Sequence, residues 1–174
     1  MKKFNVAVVG ATGMVGGKFL EVLEERNLPV ENYYLFASAK SAGKKINFAG
    51  KEHTVLELTS QNVSALDGKI DFALFSAGAG VSKEFAPLFV KAGAIVVDNS
   101  SQWRMYDDVP LVVPEVNPEA IAGYKKKNII ANPNCSTIQM VVPLAALHKA
   151  FHIERVVVST YQSVSGAGKE AMDE

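Results

Sequence analysis

The chain has 174 residues, enough for one ordinary domain or for one domain and part of a second. Basic and acidic residues number 18 each, which removes any electrostatic case for nucleic acid or an anionic membrane surface. Hydrophobic residues make up 48%, enough for a real core, and the single cysteine excludes an internal disulfide framework and fits a reducing compartment, by default the cytoplasm.

The start, Met1-Lys2-Lys3, resembles a signal peptide only briefly, because Gly10, Thr12 and Gly13 interrupt any apolar region. No run reaches the roughly 18 apolar residues of a membrane span. Residues 4–9 are apolar nearly throughout and read as a strand buried on both faces, as a parallel sheet requires. Val15, Phe19, Val22 and Leu23 then fall on one helical face, and Pro29 ends the segment. Residues 33–37 read as the next strand. Strand, glycine turn, helix and strand in this order make a βαβ unit.

Residues 45–58 predict two short strands around Ala49-Gly50, and 70–76 a further apolar strand with Asp71 at its start. A helix is expected over 82–92 and a strand over 95–98. Residues 109–113 read as extended, 118–123 as a short helix capped by Asn117, and 129–131 as a brief strand. Residues 138–151 predict a mostly apolar helix in which Pro143 marks a kink or sets an amino-terminal turn apart. Residues 155–161, rich in Val and Thr, predict a strand, and a fresh helix is expected from Lys169.

Gly10-x-x-Gly13-x-x-Gly16 differs from the G-x-G-x-x-G pattern by one spacing. Glycines there permit the tight turn and let backbone N–H groups approach a pyrophosphate at a helix start. Placed after an apolar strand and before an amphipathic helix, the triplet indicates dinucleotide binding. The second strand runs into Ala37-Ser38-Ala39-Lys40-Ser41, without the carboxylate that an NAD site usually carries there. Hydroxyls and lysines suit a 2′-phosphate, so NADP(H) is the expected cofactor. Small residues at 75–80 would let a cofactor pass close to the next strand end.

Asn99-Ser100-Ser101-Gln102-Trp103-Arg104 follows another strand, and an arginine fixed among hydroxyls is a good anion site. Asn134-Cys135-Ser136 opens the long apolar helix. N–H groups at a helix start are unpaired and carry partial positive charge, and a thiol placed there is stabilised as the nucleophilic thiolate. A lone cysteine can also be simply a small buried hydrophobe. Gln162 follows the 155–161 segment and could orient a carbonyl beside Cys135. His53, His148 and His152 show no metal-ligand spacing and read as structural or surface residues, so no metal is expected.

Taken together, these strings resemble aspartate-semialdehyde dehydrogenases. The resemblance rests on residues 10–16, 38–43, 75–80, 97–105, 108–117, 132–139 and 159–168, and it covers the whole chain. It implies an α/β fold with a Rossmann-like, doubly wound, mostly parallel sheet over residues 1–134. Residues 135–174 would begin an incomplete α+β catalytic and dimerisation domain. By the same resemblance Cys135 is the nucleophile, Gln162 positions the substrate and Arg104 binds phosphate. Gly10, Thr12, Gly13, Met14 and Val15 form the pyrophosphate loop, Lys40 and Ser41 contact the 2′-phosphate, and Ser165 and Gly166 face the nicotinamide. The implied reaction is NADPH-dependent conversion of L-aspartyl 4-phosphate to L-aspartate 4-semialdehyde through a cysteine thioester, in the biosynthesis of lysine, threonine and methionine. The implied assembly is a homodimer or homotetramer, with a small-molecule substrate and phosphate as the other partners. Family members run to about twice this length, so the chain is expected to be an amino-terminal half without the catalytic histidine, a substrate-binding arginine and most of the dimer interface. A related acyl-phosphate reductase, such as one acting on N-acetylglutamyl phosphate, and a non-catalytic NADP-binding module are the alternatives.

Overall fold

The first strand sits at the centre of the molecule because both of its faces are apolar. In the computed structural model, which describes residues 3–167 and Met172, β1 (Phe4–Val9) pairs in parallel with β2 (Val30–Ala37) on one side. On the other side it pairs with β6 (Phe72–Phe75). Ala7 and Val9 join one hydrophobic cluster with Phe36, Phe75 and Phe89, whereas Val6 and Val8 join another with Leu20, Leu23 and Leu35. This alternation is the two-residue period of a strand. Each fully buried Val, Leu or Phe contributes about 1.5–3 kcal/mol. The Phe89 ring meets Phe36 and Phe75 edge-on at centroid distances of 5.4 and 5.2 Å, a geometry that aromatic quadrupoles favour.

The main sheet has six parallel strands in the order β5-β2-β1-β6-β7-β8, with β5 at Leu56–Glu57, β7 at Ile95–Asp98 and β8 at Ile129–Ala131. Helix α1 (Met14–Arg26) covers one face through Leu20 and Leu23. Helix α3 (Ala79–Lys91) covers the other through Ala86 and Phe89. The strand order reverses between β1 and β6, the switch point at which open α/β sheets bind ligands beyond the carboxyl ends of their strands. The doubly wound parallel architecture implied by the resemblance is therefore present.

Residues 45–58 hold the two expected short strands around Ala49-Gly50 and, beyond expectation, a third. β3 (Lys45–Phe48) and β4 (Lys51–Thr54) form an antiparallel hairpin about Ala49 and Gly50, whose φ angles of 49° and 71° are those of a hairpin turn with two left-handed residues. Leu56–Glu57 leaves the hairpin and joins the main sheet beside Phe36 and Ala37. A short helix not expected from the residues, α2 (Ser60–Ser64), follows. The Thr59 hydroxyl caps it by accepting from the Asn62 N–H, a signal that was present in the sequence.

Three further expectations are corrected. Asn117 precedes the 3₁₀ helix Pro118–Lys126, yet its side chain does not cap it. It accepts from the Val113 N–H and donates to the Leu111 carbonyl, holding 111–113 extended. Helix α4 (Cys135–Phe151) starts earlier than 138 and runs uninterrupted through Pro143, so no separate first turn forms. Residues 155–161 form no strand: no ladder partner lies against them among the described residues, and Val156, Val157 and Val158 are exposed. The helix expected from Lys169 lies outside the described residues. Among the described residues no helix is long and apolar enough to cross a membrane.

Candidate functional site

The glycine turn after β1 is built so that only glycine fits at two places. Gly10 has φ +88°, and a Cβ there would lie 2.3 Å from the Ser76 carbonyl oxygen of the neighbouring β6 turn. A Cβ on Gly16 would lie 2.0 Å from the Gly10 carbonyl oxygen. Hydrogen bonds from the Gly10 and Ala11 N–H groups to Phe36 O fold the turn over the end of β2. Gly13 caps α1 without a side chain, so the first-turn N–H groups receive no side-chain cap. Met14 and Val15 beside them are exposed. An amino terminus left open in this way attracts anions, and the missing side chains admit a pyrophosphate to the backbone. The residues present therefore fit a dinucleotide.

Thr12 Oγ1 donates to Ser41 Oγ at 3.3 Å, joining the glycine turn to the 3₁₀ turn Ala39–Ser41 beyond β2. Lys40 is exposed on that same turn. The structure thus brings the expected pyrophosphate and 2′-phosphate residues together at the carboxyl ends of β1 and β2. On the far side of the switch point, Gly78 (φ +86°) caps α3, again without a side chain.

Beyond β7 lies a buried polar knot. Asp98 is 0% exposed; its Oδ2 accepts from Ser100 Oγ at 2.6 Å, and its Oδ1 has no hydrogen-bond partner. Trp103 Nε1 donates to Ser82 Oγ at 2.9 Å, which fastens the 99–104 loop to α3. Burial pushes the Asp98 carboxyl above its ordinary value of 3.8, opposed by the Ser100 and Ser82 hydroxyls and by the Arg104 charge. A carboxyl raised in the folded state keeps its proton where the unfolded chain has lost it. The stability it contributes is complete below 3.8 and is lost as pH rises through the folded value. Asp98→Asn, which has no proton to lose, is expected to remove that decline. Thermal melts of both proteins from about pH 4 to 7 check this, and identical slopes would refute it.

Arg104 is half-buried, and among the described residues its hydrogen bonds go to backbone carbonyls. Its Nε donates to Asn132 O at 2.9 Å and its Nη2 to Asn99 O at 3.0 Å. Neutral carbonyls fix the guanidinium without cancelling its charge, which leaves the rest of the fork for an anion. The chain then turns through Asn132 and the buried Pro133 into α4. Asn134 Oδ1 accepts from the Ser136 and Thr137 N–H groups, each at 3.1 Å, and so caps α4. Cys135 is the first helical residue, and its thiol is free and exposed. The reading of this cysteine as a buried small hydrophobe is excluded.

Cys135 opens onto a pocket of about 530 Å³ lined also by Gln139, Met140, Gln162, Ser165 and Gly166. Gln162 packs directly on Gly166, where a Cβ would come within 2.3 Å of its Nε2. The structure so gathers Cys135, Gln162, Ser165 and Gly166 at one cavity. It links Arg104 to the same turn through Asn132 and leaves the Gly10–Val15 and Lys40–Ser41 groups at the carboxyl ends of β1 and β2. Asn99 and Asn132 lie in strings singled out in the sequence, but nothing there indicated that their carbonyls fix Arg104; Asn134 was legible as the residue that precedes a helix. The three histidines take other roles. His53 Nε2 lies 3.2 Å from Phe48 O, and His148 and His152 stack on α4 at 5.0 Å.

A doubly wound sheet with a glycine turn at its switch point defines a nucleotide-binding α/β domain of the dehydrogenase kind. The family model described as semialdehyde dehydrogenase, NAD binding domain, matches residues 5–124, and the one described as semialdehyde dehydrogenase, dimerisation domain, matches 144–174. The chain belongs to the semialdehyde dehydrogenase family and carries its NAD-binding domain. It is 60% identical over 171 residues to an aspartate-semialdehyde dehydrogenase of Aquifex aeolicus, covering 98% of this chain and 49% of that protein. Aspartate semialdehyde dehydrogenase II of Vibrio cholerae, solved in complex with ASA, superposes with a TM-score of 0.93 at 51% identity, over 99% of this chain and 50% of the other. The Candida albicans enzyme, solved with NADP, gives 0.70 at 31% identity, over 87% and 48%. The chain spans about half the length of the relatives it matches.

Proposed function

We propose that this chain is the cofactor-binding and nucleophile-bearing part of an NADPH-dependent aspartate-semialdehyde dehydrogenase. In this reading residues 1–134 hold the cofactor and 135–174 open the catalytic and dimerisation part of a homodimer or homotetramer. The observation that carries it is the free Cys135 thiol at the first turn of α4, on a pocket shared with Gln162 and Gly166. The matches of separate NAD-binding and dimerisation models support the division.

The open first turn of α1 would hold the pyrophosphate, Lys40 and Ser41 the 2′-phosphate, and Ser165 and Gly166 would flank the nicotinamide. Cys135 Sγ attacks the carbonyl carbon of L-aspartyl 4-phosphate. The carbon–oxygen bond to phosphate breaks, phosphate departs with the electron pair, and a thioester remains. Arg104 receives the phosphate. Negative charge that develops on the carbonyl oxygen lies at the positive end of α4, where the Cys135 N–H and the Gln162 amide can meet it, the Ser136 and Thr137 N–H groups being held by the Asn134 cap. When bound, the reduced nicotinamide supplies hydride to the thioester carbon. Sulfur is then the leaving group as the aldehyde forms. The product serves the biosynthesis of lysine, threonine and methionine, and a reduced thiol of this kind suits the cytoplasm.

The reading is tested in a full-length protein carrying this chain, with L-aspartyl 4-phosphate and N-acetylglutamyl phosphate as rival substrates. Turnover of the first supports it, turnover of only the second names a related acyl-phosphate reductase, and NADPH binding without turnover of either leaves a binding module. Cofactor choice has its own expected outcome. Lys40→Ala should weaken NADPH about tenfold, the loss of one charge-assisted contact, and leave NADH within about twofold. Calorimetry showing both weakened equally would remove Lys40 from the 2′-phosphate site.

A further inference from the structure

Asn99 and Asn132 are the first residues beyond two adjacent parallel strands, β7 and β8. The Asn99 N–H donates to Phe75 O at 2.9 Å, and the Asn132 N–H donates to Asp98 O at 2.8 Å. Both carbonyls then accept from Arg104, and the two side chains meet, with Asn132 Nδ2 donating to Asn99 Oδ1 at 2.7 Å. The result is a closed ring of Asn99, Arg104 and Asn132, with both asparagines and the arginine half-buried. We propose that the Asn99–Asn132 amide pair is a clasp that fixes the Arg104 guanidinium relative to the Cys135 turn, and so positions the phosphate of an acyl phosphate for displacement by sulfur. The proposal rests on the reading of Arg104 as the phosphate-binding residue.

Holding the fold together does not account for the clasp. The 99–104 loop is already fastened by Ser100 to Asp98, by the Gln102 N–H to Ser100 Oγ, and by Trp103 to Ser82. The Asn132 main chain is fastened by the β7–β8 ladder, which Asn132 N–H extends to Asp98 O. What the side-chain bond adds is control of the two carbonyls that aim the guanidinium. Asn132 also leads directly into Pro133, Asn134 and Cys135, so the clasp couples the anion site to the helix start that carries the thiol. Geometry near an attacking atom is costly to lose, since a small misplacement of the leaving group lowers the fraction of productive complexes. Asn99 and Asn132 touch neither substrate nor sulfur in this scheme; they are positioning residues.

The test uses a full-length protein carrying this chain, run in the oxidative direction with inorganic phosphate as the probe. Asn99→Ala, Asn132→Ala, the double variant and Arg104→Ala are compared. The readouts are the KM for phosphate, the KM for NADP⁺, and the phosphate concentration that protects Cys135 from alkylation. Each single asparagine variant is expected to raise the phosphate KM and the protecting concentration about five- to tenfold, as for one lost hydrogen bond. The KM for NADP⁺ should stay within about twofold. The double variant should be no worse than Asn132→Ala, which loses both the bond to Asn99 and the 3.4 Å bond from Asn132 Nδ2 to Pro133 O. A phosphate KM unchanged in both single variants but raised by Arg104→Ala would overturn the clasp and leave the anion site standing. A phosphate KM unchanged in Arg104→Ala would overturn the anion site and the clasp with it. If Asn132→Ala fails to fold, Asn99→Ala breaks the same bond from the other side and carries the test alone.

Discussion

Cys135→Ser in a full-length protein carrying this chain is expected to lower the rate of reduction at least about a thousandfold, the scale seen when a covalent nucleophile is removed. NADPH binding should stay within about twofold, because the thiol stands at the start of α4 and the glycine turn proposed to bind the cofactor stands at the start of α1. Serine keeps the shape of the side chain and the Asn134 cap, whose acceptor serves the Ser136 and Thr137 N–H groups rather than residue 135. The loss is therefore chemical: a hydroxyl is a far weaker nucleophile than sulfur without a neighbouring base. Stopped-flow reduction and calorimetric NADPH titration on the same variant separate the two effects. A variant that turns over at the wild-type rate would remove Cys135 from the mechanism, whereas one that also lost NADPH would point to a disrupted fold.

The parts of this molecule that could be read from the residues are those whose cause is local. A run at Phe4–Val9 that is apolar apart from Asn5 needs cover on both faces, and the two clusters that flank β1 supply it. The glycine triplet before an amphipathic helix carries its own steric reason, and so does the asparagine before Cys135. Where the cause lies elsewhere in the chain, the residues mislead. Val156, Val157 and Val158 have strand-like side chains, but a strand exists only with a ladder partner, and among the described residues none lies against them. Asn117 has a capping side chain, yet the open N–H of Val113 and carbonyl of Leu111 compete for it and win. Arg104 could be read as a candidate anion site from its neighbours in sequence, but not the carbonyls of Asn99 and Asn132 that aim it, because one of them comes from a different strand. Long-range partners of this kind are set by register, which a single segment does not contain.

Gly16→Ala carries the largest expected effect on the cofactor, and its neighbour supplies the control. The added methyl would lie 2.0 Å from the Gly10 carbonyl oxygen and 2.9 Å from the Ala11 Cα, all backbone, so no side chain can swing aside. Either the glycine turn moves away from α1 or the helix start shifts, and both displace the N–H groups that would receive the pyrophosphate. We expect NADPH affinity to fall about 100-fold and stability by about 3 kcal/mol, the upper range for a small-to-large change in a packed site. Gly17 is one position further along the same helix, and a Cβ there meets nothing within 4 Å. Gly17→Ala should therefore leave NADPH binding unchanged and add about 0.5–1 kcal/mol through the better helix propensity of alanine. Calorimetric titration and thermal melts of the two variants side by side read both quantities. If Gly16→Ala bound NADPH as well as Gly17→Ala does, close packing of the turn against the helix would have no part in forming the cofactor site, and the glycines at 10 and 16 would serve the fold alone.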